Sequence, residues 1–138
     1  MRISFSAAGV PPKKDGASSM WRKGPEMVRL KALRAAAIEA LGGRGIPDGP
    51  VRLTLTIWAD RRAGDLDNFI TGVCDGLMAA HVATPIDLAL WADVPAGAQP
   101  SSRVALQDDS WVSSIAAERR APDMSGQRYE IALEWEES

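Results

Sequence analysis

The sequence predicts an α+β fold, a small single domain in which two main helices lie on one face of a mixed β-sheet. Two observations support it. Apolar and polar residues alternate in short segments around positions 3–5, 51–57 and 129–135, as in half-buried strands, and residues 111–119 are a further strand candidate. Two further segments repeat their apolar residues at helical spacing. The 138 residues suit one compact domain, so residues 1–138 are assigned to it.

The first two elements are a strand and a helix. Ile3 and Phe5 alternate with polar neighbours in a short strand that ends before Pro11-Pro12. The helix begins at Pro25, because the missing N–H of proline costs nothing at the first helical position. Gly42-Gly43 supplies its stop.

The next two elements are again a strand and a helix. Residues 51–57 form a strand that is polar on one face, and it ends in a turn at residues 60–64. The second helix begins near Asp67, and its apolar side extends to Ala80. An irregular insertion follows at about 82–103, with one or two helical turns at 86–91.

The last two elements are strands, at residues 111–119 and 129–135. A turn around residues 122–126 separates them, and the pair is predicted to form an antiparallel hairpin. The complete order is therefore β-α-β-α-β-β.

The composition predicts a soluble intracellular protein. Hydrophobic residues make up 46% and charged residues 25% of the chain, which is ordinary for a globular domain. The single cysteine, Cys74, cannot form an internal disulfide and is expected to be a small buried residue on a helix. No apolar run approaches the roughly 20 residues that span a bilayer, and the N-terminal apolar stretch is too short for a secretory signal. We therefore expect a cytoplasmic location and no membrane partner.

Charge is distributed unevenly along the chain. The net charge is −2, which argues against a generic, strongly basic nucleic-acid-binding domain. Residues 1–45, however, hold nine Lys/Arg against three acids, whereas the remainder holds seven against fifteen. Such asymmetry fits either a nucleic-acid surface beside an acidic region or a solvated face without a partner.

Four aspartates occur at the ends of predicted elements. Asp65 and Asp67 lie where the second strand passes into the second helix, and Asp108 and Asp109 lie just before the third strand. Mg²⁺ prefers oxygen ligands and keeps several waters, so two or three aspartates suffice when a phosphate supplies the rest. A local structural role remains open as well, because aspartate is also a common helix cap and turn former.

Phosphodiester hydrolysis is the chemistry that such a centre supports. A metal held by Asp65, Asp67 and Asp109 can polarise a phosphodiester and lower the pKa of a bound water. No cluster of His or Cys at ligand spacing competes for this role, and the only histidine, His81, closes the second helix.

At these residues the sequence resembles the RusA family of Holliday junction resolvases. The resemblance rests on Asp65-Leu66-Asp67-Asn68 opening a helix, Asp75-Gly76-Leu77 within that helix, and Asp108-Asp109-Ser110-Trp111-Val112 after it. The early strand before Pro11-Pro12 and the closing strand at 129–135 also follow the order of the family. The resemblance covers nearly the whole chain except the insertion.

The resemblance implies a homodimeric, Mg²⁺-dependent endodeoxyribonuclease, with Mn²⁺ able to substitute, that acts on four-way or other branched DNA in recombination and repair. Such proteins are often encoded in prophages. Carried over by position, the metal-binding and catalytic carboxylates are Asp65, Asp67 and Asp109, and Asp108 is an accompanying metal-site acid. DNA-binding residues are assigned from the basic N-terminal loop and from the turn before the acidic motif: Lys13, Lys14, Arg22, Lys23, Arg61 and Arg62.

The sequence departs from the family pattern at two places. Thr71 stands where the family usually has a catalytic lysine, and threonine cannot supply positive charge to a phosphate. Arg61, Arg62 or Arg103 are the nearby candidates to replace that charge. The insertion at 82–103 is much longer than the usual link, and it could reshape junction recognition, contribute to a dimer interface through Trp91, or do neither.

Three functional hypotheses follow. The first is an active RusA-like endonuclease. The second is a protein of the same fold that binds branched DNA without cleaving it, because it lacks the lysine. The third is a structural or regulatory metal-binding domain with no role on DNA. Cleavage and mobility-shift assays with a four-way junction separate the three.

Overall fold

The computed structural model describes residues 1–14, 19–22 and 24–136. It contains a four-stranded mixed sheet and three helices, which confirms the α+β class. The strands are β1 (Arg2–Ala8), β2 (Val51–Trp58), β3 (Val112–Arg120) and β4 (Arg128–Trp135). The helices are α1 (Ser19–Arg22), α2 (Pro25–Leu41) and α3 (Leu66–Gly76). Among the described residues, no helix combines the length and apolar character needed to cross a bilayer.

The strands lie side by side in the order β1-β4-β2-β3. β4 pairs antiparallel with β1 and with β2, while β3 pairs parallel with β2. Ala8, Arg128, Trp58 and Arg120 are therefore aligned at one end of the sheet, here called the Trp58 end. The opposite end is called the Val51 end.

The predicted hairpin of the last two strands is wrong, because β2 lies between β3 and β4. Burial explains the order. The inward residues of β2 and β4 are almost all fully buried, so these strands take the centre of the sheet, where both edges are paired. β3 carries serines and charged residues and is mostly exposed, which suits an edge position. Connecting β3 to β4 then requires the chain to cross over the Trp58 end of β2.

Helices α2 and α3 cover one face of the sheet. Their apolar side chains share a single core with the inward residues of the central strands, for example Leu33 of α2, Val73 of α3 and Leu55 of β2. The other face carries short polar side chains, among them Ser4 and Thr54, which are exposed. Two main helices on one face of a mixed sheet were predicted from the sequence, and this arrangement is confirmed.

Helix α2 has the predicted bounds. Pro25 is its first residue, and Gly42 ends it in the left-handed conformation, where its N–H donates to the carbonyl of Ile38. Helix α3 is shorter than predicted and ends at Gly76. The carbonyl of Leu77 there accepts hydrogen bonds from the backbone N–H groups of residues 104, 105 and 106, so the chain leaves the helix to meet the end of the insertion.

The insertion at 82–103 is held by one buried cation. Arg34 of α2 is fully buried, and it donates five hydrogen bonds of 2.7–3.1 Å to backbone carbonyls at the end of α3 and in the insertion. Burial lowers its pKa to about 10, so the guanidinium remains charged at neutral pH. The acceptors are Gly76, Met78, Ala98, Gln99 and Ser102.

Two tryptophans complete the anchor of the insertion. Trp91 is fully buried and stacks on Trp21 with ring centroids 5.8 Å apart, and the Arg34 guanidinium lies over the Trp21 ring. The predicted dimer contact through Trp91 is therefore wrong, because this side chain lies inside its own domain. Trp21 is itself buried and packs onto its own domain.

Candidate metal and nucleic-acid site

The acidic motif lies at the Trp58 end of the sheet. After β2, Asp60 caps a short 3-10 turn, Arg61–Ala63, by accepting a hydrogen bond from the backbone N–H of Arg62. Gly64 follows with φ of 145°, a conformation that glycine alone adopts easily. Asp65 is then the N-cap residue of α3, and Asp67 lies in its first turn. Both carboxylates are exposed to solvent.

The caps and turns separate the aspartates into two groups. One oxygen of Asp60, Asp87, Asp108 or Asp123 accepts a backbone N–H two residues later, so these side chains serve their own turns. Asp65 occupies an N-cap position without forming the capping hydrogen bond. Asp67 and Asp109 likewise accept no hydrogen bond on their carboxylates from another described residue. The three aspartates predicted to be catalytic are thus left available for an external ligand.

Asp108 and Asp109 lie near the other end of α3. They border a pocket of about 420 Å³ together with Lys14, Asp75 and His81. Asp108 caps a 3-10 turn, and its hydrogen bonds to Ser110 hold the pKa of its carboxyl below the usual range. Asp108 therefore stabilises its own turn, which is the local structural role that the sequence left open for these aspartates.

One chain does not assemble the predicted three-aspartate centre. Because β3 runs parallel to β2, Asp109 precedes β3 at the Val51 end, whereas Asp65 and Asp67 follow β2 at the Trp58 end. Asp109 also lies near the far end of α3 from Asp65 and Asp67, and the eleven residues of that helix span about 16 Å. Across the parts of the chain that the structure describes, no three His, Cys, Asp or Glu side chains are grouped to hold a metal ion.

Lys14, one of the predicted DNA-binding lysines, lies against α3. The backbone N–H of Lys14 donates to the carbonyl of Asn68, and its Nζ donates to a carboxylate oxygen of Asp75 at 2.8 Å. Its side chain therefore runs along the helix past the level of Thr71. The backbone can approach so closely because residue 72 is glycine: a Cβ there would lie 2.1 Å from the carbonyl oxygen of Pro12. Lys14 is thus a cation that lies along the same helix as Thr71, whose own hydroxyl donates to the carbonyl of Asp67.

The other predicted DNA-binding residues are dispersed. Lys13 reaches the carbonyl of Ala63 at 3.5 Å, so it lies beside the acidic motif, and Arg61 and Arg62 are exposed in the turn before it. Arg22 is exposed at the end of α1, beside residues 85–87. Lys23 lies outside the described residues.

Three further arginines at the Trp58 end were not singled out from the sequence. Arg119 reaches across from β3 and donates to the carbonyl of Gly64, directly before Asp65, while its buried Nε has no partner. Arg120 and Arg128 both lie over the ring of Trp58, at 5.4 and 4.0 Å from its centroid. The adjacent arginines at 119–120 were visible in the sequence, but only parallel pairing of β3 with β2 places them beside the acidic motif.

Cys74 is buried on α3, as predicted. Burial, with the negative charges of Asp75 and Asp109 nearby, raises the pKa of its thiol to about 11. Because the thiolate is the reactive form, a pKa of about 11 makes Cys74 about 100-fold less reactive near pH 8 than an ordinary cysteine. We therefore expect slow modification by a disulfide reagent in buffer and ordinary rates in urea. Equal rates in the two conditions would contradict this prediction.

No protein-family model matches the chain, and no curated protein sequence matches it either.

Proposed function

We propose that this protein is a Mg²⁺-dependent endodeoxyribonuclease of the RusA type, which cleaves four-way or other branched DNA as a homodimer. The observation that carries the proposal is the selective availability of Asp65, Asp67 and Asp109. Asp65 occupies a cap position without making the capping bond that Asp60, Asp87 and Asp108 make, and Asp67 and Asp109 lie in first turns with no hydrogen bond on their carboxylates from another described residue. An uncompensated set of exposed carboxylates within a recurring nuclease motif fits a cation ligand better than a structural one.

The donor set suits Mg²⁺, and the cations around it suit a phosphate. Asp65 and Asp67 offer hard carboxylate oxygens on a rigid helix start, with open solvent around them for metal-bound water. A bound Mg²⁺ would supply charge to the scissile phosphate and lower the pKa of the attacking water. Lys13, Arg61 and Arg62 would contact the DNA backbone beside that phosphate, which makes binding salt-dependent.

The exposed edge of β3 explains how Asp109 can join this centre. β3 pairs with β2 only, and its central residues, Ser113–Ala117, contain neither charge nor proline. Natural edge strands usually carry a charged residue or a proline, which prevents pairing with another chain. Ile115 is 44% exposed although it points to the helix-covered face. These features favour pairing with a second copy.

Two-fold antiparallel pairing of β3 with the β3 of a second copy completes the centre. With the two copies of Ile115 opposite each other, Glu118 and Arg119 fall opposite uncharged residues, so no like charges oppose each other. The same register brings the start of the partner's β3, and with it the turn that carries the partner's Asp109, to the Trp58 end. Each centre would then combine Asp65 and Asp67 of one chain with the partner's Asp109.

Cleavage of a synthetic four-way junction by the purified protein tests the function, with Mg²⁺ or Mn²⁺ supplied and then removed by a chelator. We expect paired nicks that depend on the metal. Mixing two inactive variants, Asp67→Asn and Asp109→Asn, then tests the shared centre. A mixed dimer has one intact centre if the carboxylates come from different chains, so activity should return on mixing. No cleavage at any metal concentration would refute the nuclease, and no recovery on mixing would refute the shared centre.

A second candidate is a protein that binds branched DNA without cleaving it. The observation that favours it is Thr71, whose hydroxyl is bound to the helix backbone and carries no charge. Junction binding without nicking, together with cleavage gained by Thr71→Lys, would establish this second candidate.

A further inference from the structure

The connection between β3 and β4 presents one apolar side chain to solvent. It spans residues 121–127 and crosses the Trp58 end of the sheet, the same end at which Asp65 and Asp67 lie. Met124 stands at its tip and is fully exposed, more so than any other large hydrophobic residue that the structure describes. A single exposed apolar residue is ordinary on protein surfaces, so its setting decides whether it has a role.

The turn that carries Met124 is held by hydrogen bonds on both sides of it. The N–H of Gly126 donates to the Asp123 carbonyl at 2.9 Å, and the Asp123 carboxylate accepts the N–H of Ser125 and the guanidinium of Arg128 at 2.9 and 2.8 Å. Gly126 has φ of 80°, which closes the turn at little steric cost. This bracing keeps the Met124 side chain projected instead of folded onto the domain.

Cations surround the base of this turn. Arg128 and Arg120 lie over the Trp58 ring, which orients both guanidinium groups at the sheet end. Arg120 also pairs with Glu118 at 2.6 Å and Arg128 with Asp123 at 2.8 Å, so each guanidinium would share its donors between that carboxylate and a bound phosphate. About half of the Arg120 side chain is exposed. A projecting apolar side chain above fixed cations matches a ligand with negative charge outside and flat apolar surfaces inside. Nucleic acid has this chemistry, and methionine is among the side chains that proteins insert between base steps.

We propose that Met124 is a wedge that enters an unstacked base step at the branch point of the DNA, while Arg120 and Arg128 contact the flanking phosphates. The proposal rests on the proposed function, because it takes branched DNA as the substrate. Opening a base step costs a few kcal/mol in an intact duplex and less where stacking is already interrupted. The wedge therefore favours branch points over continuous duplex.

A four-way junction with 2-aminopurine at the branch point tests the wedge, with Ca²⁺ replacing Mg²⁺ to prevent cleavage. The wild-type protein is expected to raise the fluorescence on binding, because the base loses its stacking partner. Met124→Ala should reduce this rise at least fivefold and weaken junction binding about tenfold, whereas affinity for plain duplex should stay within twofold. Met124→Leu should retain the rise. Val82→Ala is the matched control, because Val82 is 98% exposed but lies in the insertion.

The outcomes separate the wedge from the function on which it rests. If the wild-type protein binds no junction, the proposed function fails and the wedge fails with it. If the wild-type protein binds and Met124→Ala gives the same fluorescence and affinity, only the wedge is overturned. Equal losses on junction and duplex would also overturn it, since Met124 would then be a general contact.

Discussion

Replacing Asp67 with asparagine is expected to abolish metal-dependent cleavage, with a loss on the order of 10³-fold or more in rate. Asparagine keeps the shape of the side chain but removes the negative charge that a Mg²⁺ ligand provides. Because the Asp67 carboxylate is exposed and has no described partner, folding should change little. A negative charge in the first turn of a helix contributes about 0.3–1 kcal/mol through the helix dipole, and we expect no larger loss of stability.

The measurement pairs cleavage of a labelled junction with titration of Mn²⁺ binding by calorimetry. Asp93→Asn is the matched control, because Asp93 is an exposed aspartate whose partner is Lys31 of α2, away from α3. The control should cleave and bind metal as the wild type does. If Asp67→Asn cleaved at the wild-type rate, the assignment of Asp67 to the metal centre would be wrong.

Replacing Arg34 with methionine is expected to lower the free energy of unfolding by about 3–5 kcal/mol. Methionine fills most of the volume, but it removes the donors from five backbone carbonyls, two in buried and three in partly buried hydrogen bonds. Arg34→Lys should lie between the wild type and Arg34→Met, because lysine keeps the charge but has three donors in place of a planar fork of five.

Urea unfolding measures this loss, and limited proteolysis shows where it acts. Cleavage by a protease should appear first within residues 82–103, because Arg34 binds that segment to α2 and α3. Arg29→Met is the control on the same helix, since Arg29 forms only a surface pair with Glu26, worth at most about 1 kcal/mol. If Arg34→Met and Arg29→Met had the same free energy of unfolding, the carbonyls that Arg34 binds would have found other donors.

The elements of the fold follow closely from local pattern. Helix α2 begins at Pro25 and is ended by Gly42, as predicted. Both bounds are readable from the sequence because the proline ring and the left-handed glycine act on the backbone within a single helical turn. Strands β2 and β4 have nearly the predicted bounds, because alternating side chains mark a half-buried strand without reference to its neighbours. The end of α3 was predicted too late, since the hydrogen bonds that stop it come from residues 104–106, far along the chain.

The candidate site was likewise predictable where it depends on local sequence and unpredictable where it depends on distant residues. The sequence indicated Asp65, Asp67 and Asp109 by type and motif, and the structure adds that these carboxylates are not used by local caps. The sequence could not show that Asp108 caps a turn, because capping depends on backbone dihedral angles. Nor could it show that Arg119 reaches the carbonyl before Asp65, since that contact joins residues 55 positions apart.

The sequence by itself determined the α+β class, the helices and strands, and the acidic residues that a metal would need. Only the tertiary structure decided that β3 is a parallel edge strand, that Arg34 is a buried anchor, and that Asp109 lies at the other end of the sheet from Asp65 and Asp67. The physical reason is the distance along the chain over which the determining interactions act. Periodicity and capping depend on residues within one or two turns, whereas strand order depends on which strands bury the most apolar surface against the whole chain. The three aspartates thus remain a proposed metal centre, and its assembly from two chains is part of that proposal.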